Sequence, residues 1–581
     1  MKLSSALYTL FAVLNAGTAS AKDKENPILF LSEDDSFNFD ILTGLGQMAN
    51  DGADVNPVLS VAKRIIPGDF ESYIKEWFDL ANDTKTQALD PKIAYDPINV
   101  RATWFSVSNY FRRADAYNRA DWDDPRINGY WDEQRAAFDK AIAALPVPAE
   151  RVEIPAGDFN VSGIWYSQPY QNNQTKRLPT LLLTQGFDAA QEDLYATVVA
   201  PALARGYNIF SFEGPGQPTV RREQGVGFIP DWERVVTPVV DYLISQKASL
   251  VDPKKLVLYG HSFGGYLAAR AAAYEPRLTA LMLNGGIWDA YTGYAAHLTP
   301  ELRKLLESGD KEAFDEAMSK IHDDPDTPTT TKWGILQGLW CFKTKSPYEF
   351  FQLAKSYNLR GGITDRIQMP VWIADGEFET LQSGQSKPVA EALGDRAELH
   401  MFNGTAGYHC QTGAPQEFGR SHGTSVSDIG GNVIPYPIVQ KLPLSNEKTS
   451  NEGKPPKLLS RMPSKFKKKI ALPVTLSMPL AGIFVQQVLV EEWLSGDCNG
   501  RPFITANVYG GADGTSCVNV EQFPATNIKV SLVKPCNDGK VPVIKVSSVE
   551  CAQFETEIVL SADGSCNSVD FTPWAYEISC N

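Results

Sequence analysis

Lys255-Leu256-Val257-Leu258-Tyr259-Gly260-His261-Ser262-Phe263-Gly264-Gly265-Tyr266-Leu267-Ala268-Ala269 is the stretch that decides how this 581-residue chain reads. The five residues ending at Tyr259 make an apolar run of strand length, and those from Gly265 onward are small and helix-compatible. Between them stands Gly-x-Ser-x-Gly, the signature of a sharp strand-to-helix turn that lifts a serine hydroxyl above the end of a sheet. The glycines have a mechanical reason. A serine held at the apex of such a turn is crowded, and residues without a Cβ relieve the crowding.

The same alternation extends on both sides of this turn. Further apolar runs occupy 180–184, 207–212, 278–283, 371–374 and 398–402, and most are separated by segments long enough for a crossover helix. That pattern predicts an α/β fold, a mostly parallel sheet with helices on both faces, over residues 151–422. Residues 22–150 read as a helical cap. Its 60–145 segment is rich in aromatics, and Trp131, Phe138, Ile142 and Leu145 recur at helical spacing. A helical insertion at about 297–358 is a candidate lid.

A serine nucleophile needs a base, and the base needs a carboxylate to hold its tautomer. The chain has six histidines. His261 belongs to the turn, His297 and His322 to the insertion, His400 to a strand, and His422 to a linker-like stretch. His409 follows the last strand, in Asn403-Gly404-Thr405-Ala406-Gly407-Tyr408-His409-Cys410-Gln411-Thr412-Gly413, where a sheet enzyme presents its base. The acid is expected after the 371–374 run, in Asp375-Gly376-Glu377-Phe378-Glu379. Glu379 is the first choice and Asp375 the alternative. Ser262, Glu379 and His409 then follow the order Ser, acid, His of an α/β-hydrolase. An oxyanion is best met by fixed backbone dipoles, which by position fall on the N–H groups of Phe263 and Phe187. Asp289, in Gly286-Ile287-Trp288-Asp289, either faces substrate or caps a helix.

Several segments together resemble a known family. They are Asn109-Tyr110-Phe111-Arg112-Arg113-Ala114, Gly186-Phe187-Asp188 with Glu192, Phe212-Glu213-Gly214-Pro215-Gly216-Gln217, Asp231-Trp232-Glu233, the Ser262 turn, and Gly407-Tyr408-His409-Cys410-Gln411-Thr412-Gly413-Ala414. Over about 60–415 the chain is similar to the fungal and bacterial α/β-hydrolases related to 2,6-dihydroxypseudooxynicotine hydrolase and to the pigment-pathway polyketide-shortening hydrolases. The resemblance implies a Ser-acid-His triad beneath an N-terminal helical cap. It also implies cleavage of carbon–carbon bonds next to a ketone, or of ester-like bonds. The sequence departs from the family in three places: Glu379 stands where Asp is usual, Pro218 where Gly is usual, and no closing helix is apparent after Ala414.

The two ends read differently from the middle. Residues 1–21 have the charge, apolar run and small-residue cleavage site of a secretory signal peptide, so the protein is expected to be secreted. Asn82, Asn160, Asn173 and Asn403 are candidate glycosylation sites. Six of the eight cysteines (Cys498, Cys517, Cys536, Cys551, Cys566, Cys580) fall in the last 84 residues at wide spacing, which predicts a disulfide framework in a small β domain at 491–581. Runs at 528–532 and 541–546 read as its strands. Residues 423–490 read as a linker whose basic stretch and following apolar run look like a second signal peptide. Either two products are joined there, in the gene or in its prediction, or the stretch is a basic linker followed by one buried strand. Two prolines and two glutamines make that apolar run a poor membrane span.

A formal net charge of −15 argues against a nucleic-acid binder. Scattered Cys and His and the absence of a phosphate-binding glycine loop predict no metal and no cofactor. The expected partner is a small-molecule substrate. Two other readings stay open at this level: an esterase or lipase-like enzyme, and a disabled hydrolase carrying a Cys-rich binding module.

Overall fold

The computed structural model describes residues 27–92, 96–168, 177–324 and 327–415, and eight strands between 487 and 579. The chain divides into two compact units, 1–448 and 449–581.

The first unit is built on an eight-stranded sheet in the order β1-β2-β4-β3-β5-β6-β7-β8. Its strands are β1 Glu150–Pro155, β2 Asn160–Tyr166, β3 Leu178–Thr184, β4 Asn208–Glu213, β5 Val251–His261, β6 Ala280–Asn284, β7 Val371–Gly376 and β8 Ala397–Phe402. From β4 to β8 all neighbours are parallel, while β1 and β2 pair antiparallel at one edge. Every apolar run expected to be a strand is one. Strands β1 and β2 were not anticipated. The reason is visible in β1, where only Ile154 is buried, so its sequence lacks the apolar run that marks an inner strand.

Alternate side chains feed two cores. Leu182, Phe210 and Leu258 point into one; Leu181, Leu183, Ile209, Val257 and Tyr259 point into the other, which is completed by the cap. The cap comprises α1 Asp35–Gly46, α2 Val55–Ala62, α3 Phe70–Ala88, α4 Pro97–Ala114 and α5 Arg126–Ala143. Helix α4 starts where its sequence says it should: Asp96 accepts from the N–H groups of Ile98 and Asn99, and Pro97 occupies the first turn. Trp131, Phe138 and Ile142 on α5 are buried as their spacing predicts, and Leu145 just beyond it is half-buried.

The insertion consists of helices Pro300–Ser308, Lys311–Asp323, Thr329–Phe342 and Pro347–Ala354. Asn82 lies inside α3 with its amide donating to the Phe78 carbonyl, whereas Asn160 and Asn403 are exposed. No helix among the described residues is long and apolar enough to cross a membrane.

Strand order also locates the functional end of the sheet. The chain runs from β3 outward to β4, then returns past β3 to β5. The crevice between the carboxyl ends of β3 and β5 is therefore a topological switch point, where open α/β sheets bind ligands.

The second unit contains two antiparallel four-stranded sheets, β10-β9-β12-β15 and β11-β16-β13-β14. The strands are β9 Gln487–Trp493, β10 Ile504–Tyr509, β11 Ser516–Asn519, β12 Asn527–Lys534, β13 Val543–Ser547, β14 Ile558–Ser561, β15 Asp563–Ser568 and β16 Ala575–Ser579. The expected strands at 528–532 and 541–546 fall on β12 and β13. Strand β9 begins inside the segment expected to be linker. The signal segment, residues 423–486, Asn173, Cys498, Cys536, Cys551 and Cys580 lie outside the described residues, as do the side chains of Cys517 on β11 and Cys566 on β15.

Candidate active site

Ser262 stands at the carboxyl end of β5 with φ at 56°, in the left-handed region that non-glycine residues rarely occupy. Two bonds pin it there: its N–H donates to the Asn284 carbonyl at 2.7 Å, and its carbonyl accepts from Gly265 N–H at 2.8 Å. The surrounding glycines are sterically required. A Cβ on Gly260 would lie 2.1 Å from the Gly264 carbonyl oxygen, and one on Gly265 would lie 1.7 Å from that of Gly285. Those contacts close the turn and leave the serine hydroxyl pointing outward.

The expected base and acid meet it. His409 Nε2 is 2.9 Å from Ser262 Oγ, and His409 Nδ1 is 2.5 Å from Glu379 Oε2. Glu379 is held in turn, because its Oε1 accepts from the N–H groups of Leu381 and Gln382 at 2.7 and 2.9 Å. Of the two acid candidates, Glu379 is the one bonded to His409. Asp375 accepts from its neighbour's N–H at Gly376.

Burial alone would raise the Glu379 carboxyl, but His409 and the two backbone donors outweigh it and hold the group below its ordinary value. Burial alone would lower the His409 imidazole; Cys410 and Glu379 outweigh it and raise it well above the ordinary value.

The loop after β3 closes over the nucleophile. A Cβ on Gly186 would lie 2.9 Å from Ser262 Cβ and 3.2 Å from Phe263 N, so the two turns are in contact. The N–H groups of Phe187 and Phe263 have no partner among the described residues. The fully buried Gln217 fixes this loop. Its amide nitrogen donates to the Gln185 carbonyl at 2.7 Å, and its carbonyl accepts from Gly214 N–H at 2.9 Å. The Gly-Pro-Gly-Gln segment thus positions the turn that faces the serine.

Three neighbours were not anticipated. Gln382 brings its amide nitrogen to 3.4 Å from Ser262 Oγ. Cys410 has φ at 49°, and its Sγ lies 3.3 Å from the Asn284 carbonyl and 3.6 Å from His409 Nε2. Burial would raise the Cys410 thiol, but the imidazoles of His261 and His409 outweigh it and bring it down to about 6. His261 is the third: it lines the same cavity in addition to forming the turn.

Asp289 is a correction to the substrate-facing alternative. It caps the helix Ala290–Ala296, accepting from Thr292 N–H at 3.0 Å, and binds Arg360 Nη2 at 3.0 Å. It is not among the residues lining the cavity.

Ser262 and His409 open onto a cavity of about 220 Å³. The cap supplies Phe39 and Thr43 from α1 and Arg112 and Arg113 from α4; the insertion supplies Trp333 and Phe350. Beneath the cap the two arginines are nearly closed to solvent. Arg112 Nε and Arg113 Nη2 each lie 3.1 Å from Asp193, and Arg113 also pairs with Asp40.

The arrangement can do acyl-transfer chemistry. It offers a hydroxyl with a base at hydrogen-bond distance, an acid fixing the base, and free peptide donors beside the attacking oxygen.

The model of the alpha/beta hydrolase family matches residues 181–349. "Hydrolase LUC6" of Fusarium sp is 30% identical over 63% of this chain and 89% of its own length. "20-hydroxy-prefusarin hydrolase FUS2" of Gibberella moniliformis is 31% identical over 64% of this chain and 90% of its own length. The crystal structure of 2,6-dihydroxy-pseudo-oxynicotine hydrolase covers 63% of this chain and 90% of that one, at 19% identity and a TM-score of 0.49.

Proposed function

The chain belongs to the α/β-hydrolase family, and from that premise we propose that it is a secreted serine hydrolase cleaving a ketone, at a carbon–carbon bond, or an ester. The observation that carries the reading is the unbroken chain Glu379–His409–Ser262, at 2.5 and 2.9 Å, beside two unpartnered peptide donors.

In this mechanism His409 Nε2 takes the Ser262 proton as Oγ attacks the substrate carbonyl carbon. The resulting oxyanion accepts hydrogen bonds from Phe187 and Phe263 N–H. Collapse breaks the bond to the leaving group, which takes the proton from His409. Water, deprotonated by His409, then attacks the acyl-enzyme and returns Ser262 to its hydroxyl form.

For an ester the leaving group is an alcohol. For a ketone it is a carbanion, which must be stabilised as an enolate or by a phenol. A small-molecule substrate with apolar and polar parts is supported by similarity to a protein named 20-hydroxy-prefusarin hydrolase and by a cavity with both apolar and polar walls. Secretion, glycosylation at the exposed Asn160 and Asn403, and three disulfides in the C-terminal domain belong to the same proposal, on the signal-like N-terminus and the cysteine spacing. Intact-mass measurement before and after reduction reads the disulfides directly.

The test of the mechanism is treatment of the purified protein with a fluorophosphonate probe. Labelling at Ser262 that disappears in Ser262→Ala and in His409→Ala is expected. A folded wild-type protein that takes up no probe would leave a disabled scaffold as the better description.

A further inference from the structure

The ion-pair web beneath the cap leaves one carboxylate over. Two guanidinium groups, of Arg112 and Arg113, meet three carboxylates, of Asp40, Asp188 and Asp193. Asp193 receives Arg112 Nε, Arg113 Nη2 and Ala190 N–H, at 3.1, 3.1 and 2.9 Å. Asp40 receives Arg113 Nη1 and the Tyr73 hydroxyl. Asp188 has only Arg112 Nη2, at 3.5 Å from its Oδ2, and that nitrogen already donates to the Asp188 backbone carbonyl at 2.8 Å.

An approach of 3.5 Å is an ion pair, but it lies beyond the normal N–H···O hydrogen-bond distance. Among the described residues the Asp188 carboxylate therefore receives none. An ionised carboxylate can accept about four, so this one keeps capacity for a ligand in the cavity it lines.

The group faces the cavity and is partly open to solvent. Its side chain keeps 41% of its surface, and the residue lines the catalytic cavity. Protein surrounds it closely enough that burial raises its carboxyl above the ordinary value, against the pull of Arg112.

Asp188 also follows directly on Phe187, whose N–H has no partner among the described residues and lies in the loop that touches the Ser262 turn. Adjacent Cα atoms are about 3.8 Å apart, so a carbonyl held by that N–H brings its neighbouring carbons beside the carboxylate. Aromatic and aliphatic side chains, Tyr294, Leu298, Trp333, Phe350 and Phe351, line the cavity too and suit a carbon skeleton.

We propose that Asp188 is the specificity-determining residue of this pocket, accepting a hydrogen bond from a substrate hydroxyl, alcoholic or enolic, within a few bonds of the scissile carbonyl. The substrate class is then a hydroxylated, otherwise apolar ketone or ester. This rests on the serine-hydrolase reading above. A site built to bond a hydroxyl discriminates strongly against the analogue lacking it, because the carboxylate is left unpaired.

The test uses the full-length protein and two trifluoromethyl ketones, which add reversibly to an activated serine. One has a plain propyl chain; the other carries a hydroxyl on the second carbon from the carbonyl. Each is scored by the concentration that halves fluorophosphonate labelling of Ser262. The expected result is about tenfold tighter protection by the hydroxy ketone in wild type, the worth of one charge-assisted hydrogen bond. That ratio should collapse toward one in Asp188→Ala and shrink in the isosteric Asp188→Asn.

Equal potency in wild type overturns the proposal, and this arm needs no variant to fold. So does a ratio that survives in Asp188→Ala, or a parallel loss for both ketones, which would mark a residue that merely props the loop. Failure of Ser262 to label at all would instead remove the hydrolase reading on which the proposal stands.

Discussion

Two buried polar networks border the same cavity, and they are built to opposite ends. Beneath the cap, Arg112, Arg113, Asp40 and Asp193 close on one another, donor to acceptor, with Tyr73 and a peptide N–H filling remaining places. On the sheet, Glu379, His409 and Ser262 form a line that is satisfied at its inner end and open at its outer one. What separates them is where capacity is left: in the web at its margin, on the Asp188 carboxylate that lines the cavity, and on the sheet at the two peptide N–H groups of the turns that meet at Ser262. Polar groups that satisfy each other hold a structure together, and those left open by a rigid surrounding are where chemistry can happen.

The largest effect expected to sharpen this contrast comes from Glu379→Gln. The size is kept, but the charge that fixes the His409 tautomer is lost. Turnover of an activated ester such as p-nitrophenyl acetate should fall by roughly 10⁴-fold, with the urea midpoint almost unmoved. A loss below about tenfold would make the line decorative, since a triad acid normally contributes far more.

The reverse profile is expected for Arg113→Met, which takes from Asp40 its one cation and from Asp193 one of two. Stability should drop by about 3–5 kcal/mol, read by urea unfolding, and pairing the change with Asp40→Asn should restore part of it. Loss without any recovery would point to packing rather than to unpaired charge.

A smaller effect concerns pH. The proposed mechanism needs His409 neutral, so activity is expected to rise as pH climbs through the imidazole pKa. Cys410 and Glu379 raise that pKa against the opposing effect of burial, which sets the acid limb of kcat/KM above the ordinary histidine value of about 6.5. Cys410→Ala removes one of the two raising partners and should shift the limb to lower pH. A limb that stays in place in that variant would uncouple the thiol from the triad.

The smallest effect is assigned to Asp375→Asn. Asp375 bonds its own neighbour and leaves His409 to Glu379, so turnover should change by less than about tenfold, against the roughly 10⁴-fold expected of the triad acid.

The contrast between the two networks also explains what the sequence discloses. Ser262 was legible because its turn is a local pattern, and Glu379 and His409 because each follows a recognisable strand in a fixed order. The web is assembled from residues 73 to 81 positions apart, joined by no periodicity. Arg112 and Arg113 could be quoted from the sequence without any sign of what they hold. Cys410 and His261 come together only because β5 and the loop after β8 end on the same side of the sheet. Strands β1 and β2 escaped notice for a different reason. Strand β1, at the sheet edge, carries polar residues, and β2, buried along nearly all its length, is interrupted by Ser162 and Gly163, so neither makes an unbroken apolar run.

The glycines packed around Ser262 have a further consequence, for how such a protein would age. Placing even a methyl group on Gly260 or Gly265 drives it into backbone at 2.1 or 1.7 Å, so these positions answer to folding as well as to catalysis. Glu379 and His409 are held by hydrogen bonds and not by a backbone closure of this kind. A lineage that ceased to need the reaction would be free to lose its acid and base while the Gly-x-Ser-x-Gly turn persisted as architecture. The pentapeptide is thus a record of ancestry. Evidence of present activity lies in the residues that can drift, and in this chain they are still in line with the serine.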